Sequence, residues 1–476
     1  MNKFQIVAAL CKNRGIGYKN SLPWPNINAD LKHFKIITSQ DNSRVIMGKN
    51  TWESLPKKPL PKRTNVVITR TPKIKNALAV NTFKDSLGDC NNFVIGGEQL
   101  YKTALNDYGL NCTKIHLTEI DKEFKADTFF PKIPGYFKVT NTKKEYDEDN
   151  NINLKFKTYE NMADLESEEY QYLECMKDIL TNGEYYMDRT KTGVISKFDK
   201  NLNFTINTLN PDDDPINHKY KIPMLTTKKM FSRGIIEELL WFLRGGVDAK
   251  WLQDKNVHIW DGNTSREFLD NSGLNYYDVG EIGPGYGHQW VNWGGNWREN
   301  KNINNLIKGT NGINQIKNII ETLKYNPESR RMILTAWNVQ DISKMALPPC
   351  HMTYIFKVSN HNDKHKKVNC KVLLRSNDMF LGNPFNILSA SFLTILIARA
   401  ANMIPGNVAL SICDAHIYSD NVEQVKKQIE RVPLKFPTMK LSKDIASWED
   451  MLELTSSDFK IENYYSWSRL NAKMAV

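Results

Sequence analysis

No stretch of this 476-residue chain is apolar for long enough to suggest a membrane span. The longest candidate, Ile387 to Ile404, is interrupted by Ser389, Ser391, Thr394, Arg399 and Asn402, so a buried helix is expected there. Cysteine is scarce: seven residues, odd in number and scattered, with no pair at zinc-ligand spacing. That argues against a disulfide framework or a metal site and suits a reducing compartment, with the cytosol as the expected localisation. Met1-Asn2-Lys3-Phe4 runs into a strand-like segment without the basic-then-apolar pattern of a signal peptide. There is no helix-turn-helix pattern, zinc finger or basic repeat, and Gly96-Gly97 lacks the spacing of the usual dinucleotide fingerprint.

The charge that is present is unevenly placed. Residues 1–160 hold 26 Lys and Arg against 16 Asp and Glu, which is ten of the chain's eleven net positive charges. Without a nucleic-acid motif, this excess favours small polyanionic ligands over DNA or RNA. The same region repeats one layout three times. Val45-Ile46-Met47-Gly48-Lys49-Asn50-Thr51-Trp52, Asn65 to Arg70 and Asn92 to Tyr101 each read as a buried strand followed by Gly, Lys, Thr or Arg. Parallel strands that end this way form anion sites at their carboxyl ends. Leu22-Pro23-Trp24-Pro25 fixes an aromatic at a loop end, and Asp30 falls in the first turn of a helical segment. Such an acid is ordinarily just a complement to the helix dipole.

The second half is organised around Ala346-Leu347-Pro348-Pro349-Cys350-His351. Two prolines stiffen the approach and remove two amide donors. A cysteine is a strong nucleophile only as thiolate, which nearby cations favour, and Arg330, Arg331 and Arg375 are candidates. A lone cysteine is more often a small buried hydrophobe, so the surroundings must decide. Gly234 to Arg244 is a strongly apolar helix carrying Glu237 and Glu238, and a buried acid needs a partner or a job. Arg375 to Ile387 gathers Arg, Ser, Asp, Gly and Asn like a polar ligand clamp. Lys200 to Tyr220 and Asn292 to Gln315 read as polar surface insertions.

The motifs Ile-Val-Ala-Ala, Gly-Ile-Gly, Leu-Pro-Trp-Pro, Met-Gly-Lys-Asn-Thr-Trp, Ile-Gly-Gly and Asp127-Thr128-Phe129-Phe130-Pro131, in this order, resemble dihydrofolate reductase across residues 1–160. The resemblance implies NADPH-dependent reduction of dihydrofolate. Asp30 matches the acid that pairs with the pterin ring. Ala8, Trp24, Phe34, Leu55 and Thr118 match the pterin site, and Arg63 matches the arginine that holds the folate tail carboxylate. Ala8, Ile16, Gly48, Lys49, Asn50, Thr51, Thr69, Arg70, Gly96, Gly97 and Tyr101 match NADPH positions.

Residues 166–476 resemble thymidylate synthase, and a reductase followed by a synthase in one chain resembles the bifunctional family of protists and plants. The resemblance implies methylation of dUMP with 5,10-methylenetetrahydrofolate as co-substrate and no metal. Cys350 matches the nucleophile, with Glu238, Tyr286 and His351 beside it. Arg189, Arg375 and Ser376 match the phosphate grip. Arg330 and Arg331 match the pair that reaches into a neighbouring subunit, which implies a homodimer through this domain. Asp378, Asn386, His416 and Tyr418 match further dUMP contacts, Asn386 reading the uracil edge. Trp260, Asn263, Asp378, Leu381, Gly382, Phe385 and Val476 match the folate site. Asn383 stands where an apolar residue is expected, and Cys413 stands where a glycine normally precedes the Asp-x-His unit, so local strain is expected there. A pyrimidine hydroxymethylase on the same fold is the alternative that Asn386 argues against.

The expected architecture is an α/β domain over 1–160, dihydrofolate-reductase-like, with a mainly parallel twisted sheet and flanking helices. A short linker over 161–165 joins it to an α+β, thymidylate-synthase-like domain over 166–476, with a large mixed sheet and helices. Expected partners are small-molecule substrates and a second copy of the chain, with neither nucleic acid as the main partner nor a membrane.

Overall fold

A computed structural model describes residues 2–188, 192–298 and 311–472. The chain divides into two compact units, Met1–Ala163 and Asp164–Val476. The first is built on an eight-stranded sheet. Its strands run in the spatial order Leu78–Val80, Thr64–Ile68, Ser43–Gly48, Asn91–Gly96, Phe4–Cys11, Cys112–Ile120, Ile152–Asn161, Phe137–Asp147. The first six pair in parallel, and the last two close the edge as an antiparallel hairpin.

Side-chain alternation explains why this sheet is covered on both faces. Ile6, Ile46, Val66 and Val94 pack into one core with Leu100, Tyr101 and Ala104 of the helix Glu98–Asn106. Their neighbours Val7, Val45, Met47, Val67 and Phe93 pack into a second core with Ile37 of the helix Asn28–Thr38 and with Trp52. Near-continuous apolar strands of this kind need helices on either side. The mainly parallel sheet with flanking helices expected from the sequence is what forms.

The second unit holds a six-stranded mixed sheet, ordered Glu184–Tyr186, Val194–Thr205, Ile404–Tyr418, Lys367–Asp378, His351–Ser359, Ile333–Thr335. The pair Lys367–Asp378 and Ile404–Tyr418 is parallel, and the others are antiparallel. The crossover between the two parallel strands is the helix Gly382–Ala400, buried along almost its whole length. It lies where the apolar run predicted a buried helix. Being apolar on every side, it can pack against the sheet and the helix Ser232–Leu243 at once. A four-stranded sheet of Asn207–Thr208, Lys219–Lys221, Thr438–Leu441 and Phe459–Glu462 completes the unit.

Two expectations need correction. Lys200 to Thr205 is not part of a surface insertion but the end of the central strand Val194–Thr205, paired to Ile404–Tyr418. Leu202 and Phe204 are buried, and with Ile206 they form a period-two apolar series hidden among polar neighbours. Cys413 sits on the exposed side of Ile404–Tyr418 and is not among the residues with left-handed φ, so the loss of glycine leaves no strain there. Of the stretch 292–315, residues 299–310 lie outside the described residues, and Trp293 and Ile313 on either side of them pair as an isolated antiparallel bridge.

The crossover helix sets a stability test. Leu396 is fully buried in it, and Leu396→Ala leaves a cavity that should cost about 3 kcal/mol in chemical denaturation of the second unit. A loss under about 1 kcal/mol would contradict its place in a close-packed core.

Candidate active sites

In the first unit the residues matched to NADPH collect at one end of the sheet. Gly48 to Thr51 follow the strand Ser43–Gly48, Thr69 and Arg70 follow Thr64–Ile68, and Gly96 and Gly97 end Asn91–Gly96. These are three adjacent parallel strands, so their carboxyl ends and helix starts face the same rim. Gly96 adopts φ +132°, and an added Cβ at Gly96 or Gly97 would lie 3.3 or 3.2 Å from the Thr51 hydroxyl. A side chain at either position would crowd Thr51, so glycine lets this backbone pack closely against the start of the helix Lys49–Ser54. Arg70 is exposed beside this rim.

On the neighbouring strands, Ala8 pairs with Leu117 and Ala9 with Thr118. Asp30, in the first turn of the helix Asn28–Thr38, is buried with Thr118 donating a hydrogen bond to it. Burial raises its carboxyl above the ordinary range, and the Thr118 bond works against that rise. An acid serving only the helix dipole would face water, whereas this one faces inward. Tyr101 donates to Val7 O at 2.9 Å and packs on Phe130, so its contribution at the rim is to hold the strand Phe4–Cys11. Trp24 is buried edge-on to Phe124, and Ile16 packs against the sheet core. Arg63 donates to Thr38 Oγ1 at 2.6 Å, with its guanidinium 5.8 Å from the Phe34 ring. Phe34 and Leu55 flank the same core.

In the second unit the Pro-Pro segment is held by one side chain. Arg375 donates from Nε to Pro349 O at 2.9 Å and from Nη2 to Pro348 O at 2.7 Å. The same Nη2 lies 3.7 Å from Cys350 Sγ. The Cys350 amide donates to the Tyr286 hydroxyl at 2.7 Å. A guanidinium against the sulfur places positive charge where a thiolate would form. Behind the cysteine, His351 is buried, stacks on Tyr286 at 4.1 Å and bonds Tyr354 Oη at 3.0 Å. Burial lowers its pKa to about 3, so it stays neutral and supports Tyr286. Glu238 accepts from Trp260 Nε1 at 2.8 Å. Enclosure raises its carboxyl to about 7, against the lowering effect of that bond.

Asp414 organises the polar rim. It accepts from Ser376 Oγ at 3.2 Å and from Ser196 Oγ at 2.8 Å, and it stands 3.4 Å from His416 Nδ1. Burial disfavours charge on His416, yet the carboxylates of Asp414 and Asp378 outweigh it and hold its pKa above the ordinary value. Tyr418 meets His416 edge-on at 5.2 Å. Asp378 Oδ1 accepts from the amides of Phe380 and Leu381 at 2.8 and 3.2 Å, which shapes the turn into Gly382. Asn386 Oδ1 accepts from Asn377 Nδ2 at 2.8 Å. Asn263 is buried, and Leu381 and Phe385 flank the core.

Some matched residues are not brought to this cluster. Arg330 and Arg331 are exposed just before Ile333–Thr335 and, among the described residues, make no hydrogen bond to the cysteine cluster. Arg189 and Val476 lie outside the described residues. Sequence reasoning missed Lys228, whose buried ammonium bonds Phe380 O and sits 3.8 Å from the Phe380 ring centroid. Burial lowers its pKa to about 7. A lysine pair just ahead of the apolar helix Ser232–Leu243, as in Thr226-Thr227-Lys228-Lys229, was the available signal. Asp414 and Asn377 were also missed as site-shaping residues, and each lies within two positions of a matched one.

A dihydrofolate reductase family model matches residues 3–161, and a thymidylate synthase family model matches residues 170–476. A bifunctional dihydrofolate reductase-thymidylate synthase from Paramecium tetraurelia is 39% identical, covering 99% of both chains. The protein of that name from Zea mays is 37% identical over 99% of this chain and 97% of its own. The one from Plasmodium chabaudi is 32% identical over 97% and 94%. With both matches in one chain and relatives collinear along its whole length, the chain belongs to the bifunctional dihydrofolate reductase–thymidylate synthase family.

Proposed function

We propose that this chain methylates dUMP to dTMP with 5,10-methylenetetrahydrofolate in its second unit. Its first unit then reduces the dihydrofolate so formed to tetrahydrofolate with NADPH. The observation that carries the reading is the sulfur of Cys350, held at the end of a proline-stiffened segment 3.7 Å from a guanidinium. In this reading Cys350 attacks carbon 6 of the uracil, which raises electron density at carbon 5 and divides one hard substitution into two easier steps. Arg375, Ser376 and Arg189 grip the phosphate, with Arg375 also fixing the nucleophile. Arg's rigid fork of donors suits both tasks. His416 and Tyr418 contact the sugar, and Asn386 contacts the uracil edge. Glu238, with a carboxyl near neutrality, moves protons at the pyrimidine through water. Trp260, Asn263, Asp378, Leu381, Gly382, Phe385 and Val476 bind the folate.

In the first unit Asp30 holds the pterin and delivers its proton, while Ala8, Trp24, Phe34, Leu55 and Thr118 shape the pocket. Arg63 takes the tail carboxylate. Gly48 to Thr51, Thr69, Arg70, Gly96 and Gly97 fit NADPH phosphates because they line the carboxyl ends of three adjacent strands, with Ile16 and Tyr101 beside them. NADPH supplies the hydride. The positive excess of residues 1–160 suits two anionic ligands.

We further infer a homodimer through the second unit. The sheet face away from the Gly382–Ala400 helix exposes Phe198 and Ile333, and both Arg330 and Arg331 lie free of their own cysteine cluster. A partner would cover the former and receive the latter. Among the described residues, no helix is long and apolar enough to cross a membrane, and no cluster of three or more His, Cys, Asp or Glu stands ready for a metal.

Incubation with dUMP, 5,10-methylenetetrahydrofolate and NADPH should yield dTMP and tetrahydrofolate together. Cys350→Ser should abolish dTMP formation while leaving NADPH-dependent reduction of added dihydrofolate near normal; persistence of dTMP would remove Cys350 from its role. Glu238 gives a pH-dependent stability test. Folding raises its pKa from 4.5 to about 7, so the native state holds a proton that the unfolded chain has released, and stability falls as pH rises through that window. Glu238→Gln should equal the wild type below about pH 4 and exceed it by about 3 kcal/mol above about pH 7.5. A pH-independent difference would rule out the perturbed carboxyl.

A further inference from the structure

We propose that Asn383 and Asn377 are positioning residues that lock the carboxamide of Asn386 in the orientation that accepts uracil and refuses cytosine. The inference rests on the reading of Asn386 as the contact to the pyrimidine edge. The three residues meet where the strand Lys367–Asp378 passes into the helix Gly382–Ala400. Asn383 is fully buried and Asn377 nearly so. Asn383 Nδ2 donates to Asn377 Oδ1 at 2.6 Å, and Asn377 Nδ2 donates to Asn386 Oδ1 at 2.8 Å.

A carboxamide has an acceptor at one end and donors at the other, so each bond fixes the direction of the next. With one lone pair of Asn386 Oδ1 taken by Asn377, the second remains for a donor, and Nδ2 remains for an acceptor. Acceptor beside donor complements the N3–H and O4 of uracil. Cytosine presents the reverse, an acceptor at N3 and a donor at N4. Binding it would require the Asn386 amide to turn over, which would set its NH2 against the NH2 of Asn377. That loses a hydrogen bond and opposes two donors in a water-poor site.

The direction of the whole chain is also set. Turning all three amides together would restore the two bonds, but it would put the Asn383 NH2 where its Oδ1 now stands. That oxygen is buried without a partner. A carbonyl oxygen tolerates under-satisfaction better than an amino group tolerates orphaned protons. The enclosed position of Asn383 therefore favours the uracil-reading polarity. It also gives a use to two polar side chains at buried positions, one of them where an apolar residue was expected, and burying polar groups is otherwise costly.

The test is equilibrium binding of dUMP and of dCMP to the intact protein by calorimetry, with tritium release from carbon 5 as the turnover readout. Asn377→Ala and Asn383→Leu, which keeps the branching at Cγ and removes the polar atoms, should each narrow the preference for dUMP by about tenfold, the worth of one hydrogen bond. The double variant should narrow it no further than Asn377→Ala alone, because a chain of bonds is broken by one cut. If Asn377→Ala does not fold, Asn383→Leu alone decides by the same criterion. A preference within twofold of wild type, or single effects that multiply in the double variant, would overturn the inference. Asn386→Asp separates the two layers of the reading by reversing the contact itself. If it leaves the dUMP preference intact, the assignment of Asn386 fails and the chain behind it loses its function. If it shifts preference to dCMP while Asn377→Ala and Asn383→Leu change nothing, only the positioning role fails.

Discussion

The second unit's chemistry depends on what Arg375 does to the backbone of Pro348 and Pro349. Two consecutive prolines leave carbonyls in a segment with no amide donors of its own, so a regular ladder cannot satisfy it. One guanidinium takes on that burden with two hydrogen bonds, and the Nη2 that makes one of them also faces the sulfur of Cys350. Lysine could not reproduce this, because its ammonium has no planar fork. The placement of the Cys350 sulfur and the positive charge beside it therefore come from a single side chain, itself fixed by strand pairing through its amide to Cys350 O.

Asp414 plays a comparable role on the adjoining strand. It binds hydroxyls from two other strands, Ser196 and Ser376, and holds His416 in the charged direction. Ser376, Asp414 and His416 come together because Lys367–Asp378 and Ile404–Tyr418 pair in parallel, with Ser376 opposite Asp414 and Asp378 opposite His416. The apolar crossover helix between these strands enforces that register. Core packing and site geometry are thus the same constraint seen from two sides of the sheet.

How much was legible in the sequence follows from how each feature is encoded. The parallel strands of the first unit were visible because Val45 to Met47 and Val66 to Ile68 are apolar without interruption and end in glycine or a polar turn. The stiffened approach to Cys350 was visible because Pro-Pro-Cys-His is local. The strand at Lys200–Thr205 was not, because its outward residues Asn201 and Asn203 dilute Leu202 and Phe204, and only its partner strand shows which side is buried. The enclosure of Lys228 and Asn377 was hidden for a different reason. A lysine or asparagine near other polar residues looks solvated until the fold encloses it.

The two units, with unrelated sheets, each place one carboxyl under the same pair of opposing influences. Asp30 and Glu238 are both enclosed in protein, both raised above the ordinary carboxylate range, and both given one donor that opposes the rise: the Thr118 hydroxyl and the Trp260 indole. Enclosure alone would drive an acid to permanent neutrality, and a full set of donors would keep it permanently ionised. Enclosure with one donor sets the two influences against each other, and their balance decides how far each carboxyl is raised. The donors also fix where the carboxylate lies: Thr118 is in the strand beside Ala8, and Trp260 packs edge-on against Tyr286, whose hydroxyl receives the Cys350 amide. In both units the side chain that moderates the acid also sets its distance from the groups around it, so acidity and geometry change together when either is altered.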